Sequence, residues 1–314
     1  VTALALLLLL LSGDTPSTHP VTVTVFYDEN GNGSRDPSER VTIPGVVVEG
    51  GGSRGETKAS GAVALPDVPE GLQEFRVVEE TLPPFFVPGP AVRRDVGGPL
   101  EVELGVTLPI GSNRPNTYLA FGDSITAGEG STGSRGFGAL LQAKLREHFG
   151  GATVIADGVS GLSTERGLRR LRDSLARQRP AYTLVLLGTN DWDDAQDQGA
   201  LATATVEHLR SMVRRVRAAG SLAFVASLPP PNVGYDWRVP PERDAFVQKV
   251  NGMIEAMARE ENAVFVPLYR AFREEPDWKR LFRDHLHPND RGYALIAETL
   301  YRSIVARVPP PPGP

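Results

Sequence analysis

Cysteine is absent from this chain of 314 residues. Its absence excludes disulfide cross-links, even though an exported chain could form them. A basic excess is also missing. The 33 Lys and Arg against 38 Asp and Glu leave a formal net charge of −5, which argues against a nucleic-acid partner, since that would need a basic footprint. No apolar run is long enough for a stable membrane span. The longest, Leu6–Leu11 behind Val1-Thr2-Ala3-Leu4-Ala5, has the length of a signal-peptide core and falls short of a bilayer-crossing helix. It predicts a secreted or cell-surface protein of bacterial export, with a piece of a membrane anchor as the alternative. No charged leader precedes it, so the start either lies upstream or is a non-standard one at Val1. Leu11-Ser12-Gly13-Asp14 has the form of a bacterial lipoprotein cleavage box. Asp14 stands where the lipid-bearing Cys would be, which excludes that acylation.

The remaining composition, 40% hydrophobic and 23% charged, is that of a folded protein, and the length allows one large domain or two ordinary ones. Residues 1–19 read as a signal-like segment and a Ser/Thr/Pro/Gly tether. Residues 20–108 have all-β texture: Val21, Val23 and Val25 alternate with threonines, then Val46–Val48, Ala62–Leu65, Phe75–Val78 and an alternating run at 100–108 follow between turn signals. Residues 109–116 (PIGSNRPN) have linker composition. From 117 to 308 the period changes. Apolar strands at 117–121, 153–156, 182–187, 222–227 and 264–267 alternate with helices near 136–149, 164–178, 200–219, 241–259 and 290–307. A parallel sheet covered on both faces is the expected result. Tyr293, Ile296, Ala297, Leu300 and Ile304 form one stripe of the last helix, which Asn289 or Asp290 can cap. Residues 309–314 are a Pro-rich tail. The predicted fold class is α/β, a flavodoxin-like three-layer sandwich with a five-stranded parallel sheet, preceded by a small all-β sandwich.

Residues 28–39 match the twelve-residue calcium-loop pattern in full. Side-chain oxygens of Asp28, Asn30, Asn32, Asp36 and Glu39 and the carbonyl of Ser34 form a hard oxygen set, and Gly33 permits the sharp turn. A β-strand precedes the loop where a sensor would have a helix, so the reading is a rigidifying structural calcium, the alternative being a metal-free Asx-rich hairpin. Together with Ser60–Leu65, Val68-Pro69-Glu70-Gly71 and Phe75–Val78, this region resembles the B-type (Cna-B-like) repeat modules of bacterial surface proteins over about residues 20–108. That resemblance implies the β-sandwich.

Four short blocks carry the chemistry: Phe121–Ser124 (FGDS), Asp157–Gly161 (DGVSG), Gly188–Asp191 (GTND) and Asp284–His287 (DHLH). Ser124, Gly158 and Asn190 follow the first, second and third predicted strands, so all three fall on the carboxyl edge of one sheet, where open α/β sheets bind ligands. The Leu228–Pro241 loop opens onto the same edge. Asp284 and His287 precede the last helix, from which they can reach over Ser124. A serine, an Asp–His pair and two kinds of hydrogen-bond donor are the parts needed for acyl transfer.

On these blocks the chain resembles the SGNH (GDSL) hydrolase family over residues 117–308. The resemblance implies Ser124 as nucleophile, His287 and Asp284 as its partners, and an oxyanion hole built from the Ser124 and Gly158 N–H groups and the Asn190 amide. Many relatives carry Asn where this chain has Ala156. The order Ser…Asp…His also suits an α/β-hydrolase, but that fold needs a Gly-x-Ser-x-Gly elbow, and Ile125-Thr126 follow Ser124.

The expected function is a serine esterase acting on a small-molecule or glycan ester, with no cofactor for catalysis. The alternatives are an acyltransferase or lysophospholipase with the same triad, or a catalytically idle surface adhesion protein. Other residues have blander readings. His285 is structural or exposed, the alternative being a metal site with His287. Ser160 is a hydrogen-bonding residue of the second block. Arg169, Arg170 and Arg172 are the exposed side of a helix. Trp192, Tyr235 and Trp237 either line a substrate groove or pack loops onto the sheet, and Asp193 and Asp194 form a solvated face. Oligomeric state is not legible.

Overall fold

The computed structural model describes residues 17–83, 85–193, 196–236 and 239–306. The leucine run, Asp194, Trp237 and the Pro-rich tail lie outside them. The chain divides into two compact units. One takes in residues to 35, 42–82 and 88–106. The other takes in 36–41, 83–87 and everything from 107 on.

The β-rich region carries eight strands: β1 (Thr18–Tyr27), β2 (Val47–Gly50), β3 (Ser53–Glu56), β4 (Ala62–Pro69), β5 (Gly71–Val77), β6 (Val87–Pro88), β7 (Val92–Val96) and β8 (Leu100–Thr107). They form two four-stranded sheets, in the orders β4-β1-β8-β6 and β3-β2-β5-β7. Period-two alternation decides which side chains go inward. Val23 of β1 pairs with Val63 on antiparallel β4 and Val102 on parallel β8, and all three are buried. Among its described residues the helical feature is a 3-10 turn at Glu79–Thr81.

The loop after β1 is folded by Asx turns. Asp28 Oδ1 accepts the Gly31 and Asn32 N–H groups, and Oδ2 accepts that of Gly33. Asn30 and Asn32 accept the N–H two residues on. These bonds account for the turn from the short polar side chains themselves. Among the described residues, no group of three or more His, Asp or Glu side chains is arranged to hold a metal ion.

The second unit is built on β9 (Arg114–Gly122), β10 (Thr153–Gly158), β11 (Pro180–Leu186), β12 (Leu222–Ala226) and β13 (Val264–Val266). All pair in parallel, in the order β10-β9-β11-β12-β13. Within this unit that is 2-1-3-4-5, the order of flavodoxin-like sheets. The sheet begins inside the stretch read as a linker. Arg114 already donates its N–H to Arg179 O at 2.7 Å, a pairing that composition does not reveal.

The helices are α1 (Ser124–Ala127), α2 (Gly138–Phe149), α3 (Thr164–Gln178), α4 (Gln198–Ala218), α5 (Pro241–Glu260), α6 (Leu268–Glu274) and α7 (Asp290–Val305). Alternate strand residues feed alternate faces. Leu119, Phe121, Val185, Leu187, Ala223 and Val225 pack with α3, α4 and α5 in one core. On the other face Tyr118 stacks on Tyr182 at 4.4 Å between ring centroids, and Leu184, Leu186 and Phe224 border one small apolar cavity together with Phe137 and Leu300. The five stripe residues of α7 are all buried, and Asn289 is its cap, accepting the Arg291 and Gly292 N–H groups. Asp290 instead binds Thr132 through both its N–H and its hydroxyl. The short helices α1 and α6 had no sequence signal, since neither is long enough to show a helical period.

Candidate active site

Strand β9 ends at Gly122, and the chain turns at once into α1. Asp123 caps this single turn by accepting the Ile125 N–H at 2.9 Å. Ser124 is therefore the first helical residue, where a backbone N–H has no intrahelical acceptor. Its side chain is mostly buried. Asp123 is fully buried, and burial pushes its carboxyl up to about 7, against the Ile125 hydrogen bond and the His287 charge, which pull it down.

Residues 282–288 form a loop closed on itself. Phe282 bridges Pro288, and the Arg283 N–H donates to His287 O. Within it the Leu286 and His287 N–H groups donate to Asp284 Oδ1 at 2.8 and 2.7 Å. That turn brings Asp284 Oδ2 to 2.8 Å from His287 Nδ1, and His287 Nε2 to 3.0 Å from Ser124 Oγ. A carboxylate acceptor requires the proton on Nδ1, which leaves the Nε2 lone pair for the serine hydroxyl. Burial works to raise the Asp284 pKa, but the two N–H groups and the imidazole outweigh it and hold the carboxyl below its usual range.

The loop after β12 grips this segment from outside. Asn251 of α5 binds Leu228 at both ends, accepting its N–H at 2.7 Å and donating to its carbonyl at 3.0 Å. Further along, Asn232 donates its N–H to His285 O and Lys279 donates to Val233 O. Tyr235 donates to Arg283 O at 3.4 Å. Tyr235 itself is 51% exposed, whereas the His285 side chain is only 16% exposed, in keeping with a structural residue. No metal-holding group includes it among the described residues.

Gly158 ends β10 beside Gly122. A Cβ there would lie 2.3 Å from Ala127 N and 2.5 Å from Asp123 O, so only glycine lets the second block approach α1 this closely. Asp157 before it pairs with Arg170, whose guanidinium also lies 5.2 Å from the Phe121 ring centre. Arg170 therefore departs from the expected exposed face, while Arg169 and Arg172 keep to it, at 64% and 82% exposure. The signal missed was the Asp157 partner, which lies 13 positions away.

Asn190 sits in a 3-10 turn after β11. Its amide donates to Leu162 O at 3.2 Å and, more loosely, to Asp123 Oδ2 at 3.4 Å. Asp191 fixes the turn from the other side, accepting the Thr164 N–H, the Thr164 hydroxyl and the Thr205 hydroxyl. A cleft of about 870 Å³ opens from Ser163 and Asn190 past Trp192, Asp193, Leu201 and His208. Trp192 borders this cleft and packs edge-on against Phe246.

The profile of the GDSL-like Lipase/Acylhydrolase family matches residues 120–295. The Esterase TesA of Pseudomonas aeruginosa is 30% identical over 154 residues, covering 49% of this chain and 70% of that protein. An Acetylxylan esterase of Geobacillus stearothermophilus is 27% identical over 222 residues, covering 63% and 96%. Among solved structures, the lipase/acylhydrolase from Enterococcus faecalis superposes with a TM-score of 0.53 at 25% identity, covering 62% of this chain and 98% of that one. Fold, serine site and relatives together define a serine-dependent carboxylic ester hydrolase. The chain belongs to the GDSL-like lipase/acylhydrolase family.

Proposed function

We infer that Ser124 is the nucleophile, His287 its general base and Asp284 the carboxylate that orients the imidazole. The observation that carries this reading is the unbroken hydrogen-bond chain from Asp284 through His287 to Ser124. Ser124 Oγ bonds to the ester carbon while its proton passes to His287 Nε2. The carbonyl oxygen becomes an oxyanion held by the N–H groups of Ser124 and Gly158 and by the Asn190 amide, which gives up its 3.4 Å contact with Asp123 to do so. On collapse the bond to the alcohol oxygen breaks and Nε2 returns the proton to it. Water then repeats the sequence on the acyl-enzyme.

The test is covalent labelling by a fluorophosphonate with turnover of p-nitrophenyl acetate. Ser124→Ala must abolish both. A labelled, active Ser124→Ala protein would end the assignment.

Acetylated glycans are the proposed natural substrates. The acetylxylan esterase relative and a cleft lined by Trp192 together with Asp193, Gln196 and His208 support this. Acetate release from a panel of acetylated glycans, run beside simple esters of increasing acyl length, decides it. Preference for the longer acyl chains would refute it. Export is proposed on the leucine run alone, a sandwich packing of the two β-sheets on their alternating apolar residues, and calcium binding by residues 28–39 on their pattern alone. Isothermal titration without heat on adding calcium would remove the last of these.

A further inference from the structure

Glu129 lies five positions after the serine and enters none of the four blocks. Its backbone is fixed at both ends. The N–H donates to Ser124 O at 3.0 Å, and the carbonyl accepts the Tyr293 hydroxyl at 2.6 Å. Burial, then the charges of Asp123, Glu129 and Asp284, push the Tyr293 pKa far up, so that phenol keeps its proton and remains a donor. The next residue, Gly130, has φ +90°, and a Cβ there would lie 2.6 Å from Pro288 O and 2.9 Å from His287 Cβ. The segment is thus pressed against the loop that carries the imidazole.

The Glu129 side chain is 42% exposed and reaches the imidazole. Its Oε2 lies 3.3 Å from His287 Nε2, and its Oε1 accepts the Ser160 hydroxyl. Ser160 of the second block therefore orients the carboxylate. The same Nε2 faces the nucleophile.

Nε2 is the atom that must hand its proton to the departing alcohol. The leaving oxygen therefore passes within reach of the Glu129 carboxylate whatever the acyl group is. An ionised carboxylate only accepts hydrogen bonds. It rewards an alcohol that brings a second hydroxyl next to the ester oxygen, since hydrogen bonds to charged acceptors are the strong ones. It offers no partner to a plain alkyl alcohol, and it repels an alcohol bearing phosphate or carboxylate.

We propose that Glu129 is a specificity-determining residue that selects the alcohol half of the substrate, favouring esters of polyols with a free hydroxyl beside the scissile oxygen. This rests on the reading of Ser124 and His287 as nucleophile and base. It adds a recognition element on the leaving-group side, away from the acyl carbon and from the cleft beside Asn190.

The experiment compares kcat/KM for glycerol monoacetate and ethyl acetate by pH-stat titration, in the full chain and in Glu129→Ala and Glu129→Gln. The acyl group is common to both esters, so any effect of the substitution on His287 itself cancels in the ratio. The wild-type ratio should favour the hydroxylated ester by about 10- to 100-fold, the range of a hydrogen bond to a charged acceptor. Glu129→Ala should bring it close to unity, and Glu129→Gln, a neutral acceptor, should fall between. An unchanged ratio in Glu129→Ala, or an equal loss on both esters, overturns the proposal. Ser124→Ala is measured beside them. If it keeps turnover, the nucleophile assignment fails. If it is inert while the Glu129→Ala ratio stays put, only the role of Glu129 fails.

Discussion

The Nε2 atom of His287 stands 3.0 Å from Ser124 Oγ across 163 positions of chain. Each partner is held by its own local device: Asp123 caps the turn that presents Ser124, and Asp284 folds the loop that presents the imidazole. Neither device depends on substrate, so the pair is preorganised. Preorganisation is worth most where charge develops in the transition state.

Removal of the Asp284 carboxylate tests that arrangement. Asp284→Asn loses the acceptor that sets the imidazole tautomer, and kcat should fall by about 10²–10⁴ with KM little changed. A pre-steady-state burst of p-nitrophenol reads the acylation step directly. A near wild-type burst rate would place the essential contact elsewhere.

Asn190→Ala removes one of the proposed oxyanion donors. The expected loss is about 10²–10³ in kcat. The Leu162 carbonyl also loses its 3.2 Å partner, so a small drop in thermal midpoint should accompany it. Matching turnover in mutant and wild type would exclude Asn190 from the hole.

Gly158→Ala is a steric test. The added methyl must displace backbone of α1 at Ala127 N and Asp123 O, and backbone yields less readily than a side chain. A destabilisation of about 1–3 kcal/mol is expected, with activity lost together with stability because α1 carries the serine. Urea unfolding and ester turnover on the same sample check both.

Asp123 gives a pH signature. Its folded pKa is raised to about 7 by burial, above the unfolded value near 3.9, so the folded state binds this proton more tightly. The stability it contributes is present in full below the unfolded value. It is lost as the pH rises to about 7, with a slope of at most ~1.4 kcal/mol per pH unit. Asp284 has the opposite sign, because its lowered pKa stabilises the fold above the carboxylate range and that stability is lost as the pH falls. Asp123→Asn keeps the acceptor for Ile125 and removes the ionisation. The variant should therefore gain on wild type between pH 5 and pH 8 in urea unfolding. Parallel pH profiles would contradict the buried-carboxyl account.

Asn251→Ala strips both hydrogen-bond partners from Leu228 in a buried setting. Each orphaned group costs about 1–3 kcal/mol. The loop so loosened also holds Asn232 on the carbonyl of His285, so turnover should fall along with stability. Stability lost at unchanged kcat would show that the grip on the 282–288 loop is dispensable.

Much of this could be read from the amino acids in order. Strand and helix periods are local, set by which neighbours are apolar, and they placed Ser124, Gly158 and Asn190 at three strand ends. The strand hidden in 114–116 was not legible, because its evidence is a hydrogen bond to Arg179. Arg170 looked like its exposed neighbours until Asp157 was brought beneath it. Asn251 reads as one polar residue on a helix, and nothing near it says that it clasps a loop 23 positions away. Glu129 between two glycines carries no block signature, and its meaning comes from an imidazole 158 positions further on.

The order of apolar and polar residues by itself determined the parallel sheet, the succession of its elements along the chain and the residue types at the site, since burial of an apolar stripe is a local instruction. Only the tertiary structure decided which atoms of those residues face one another. Contacts such as Glu129 with His287 depend on how two loops from opposite ends of the domain close over one strand. That closure is set by packing and hydrogen bonds summed over the whole sheet, and no single segment of sequence encodes it.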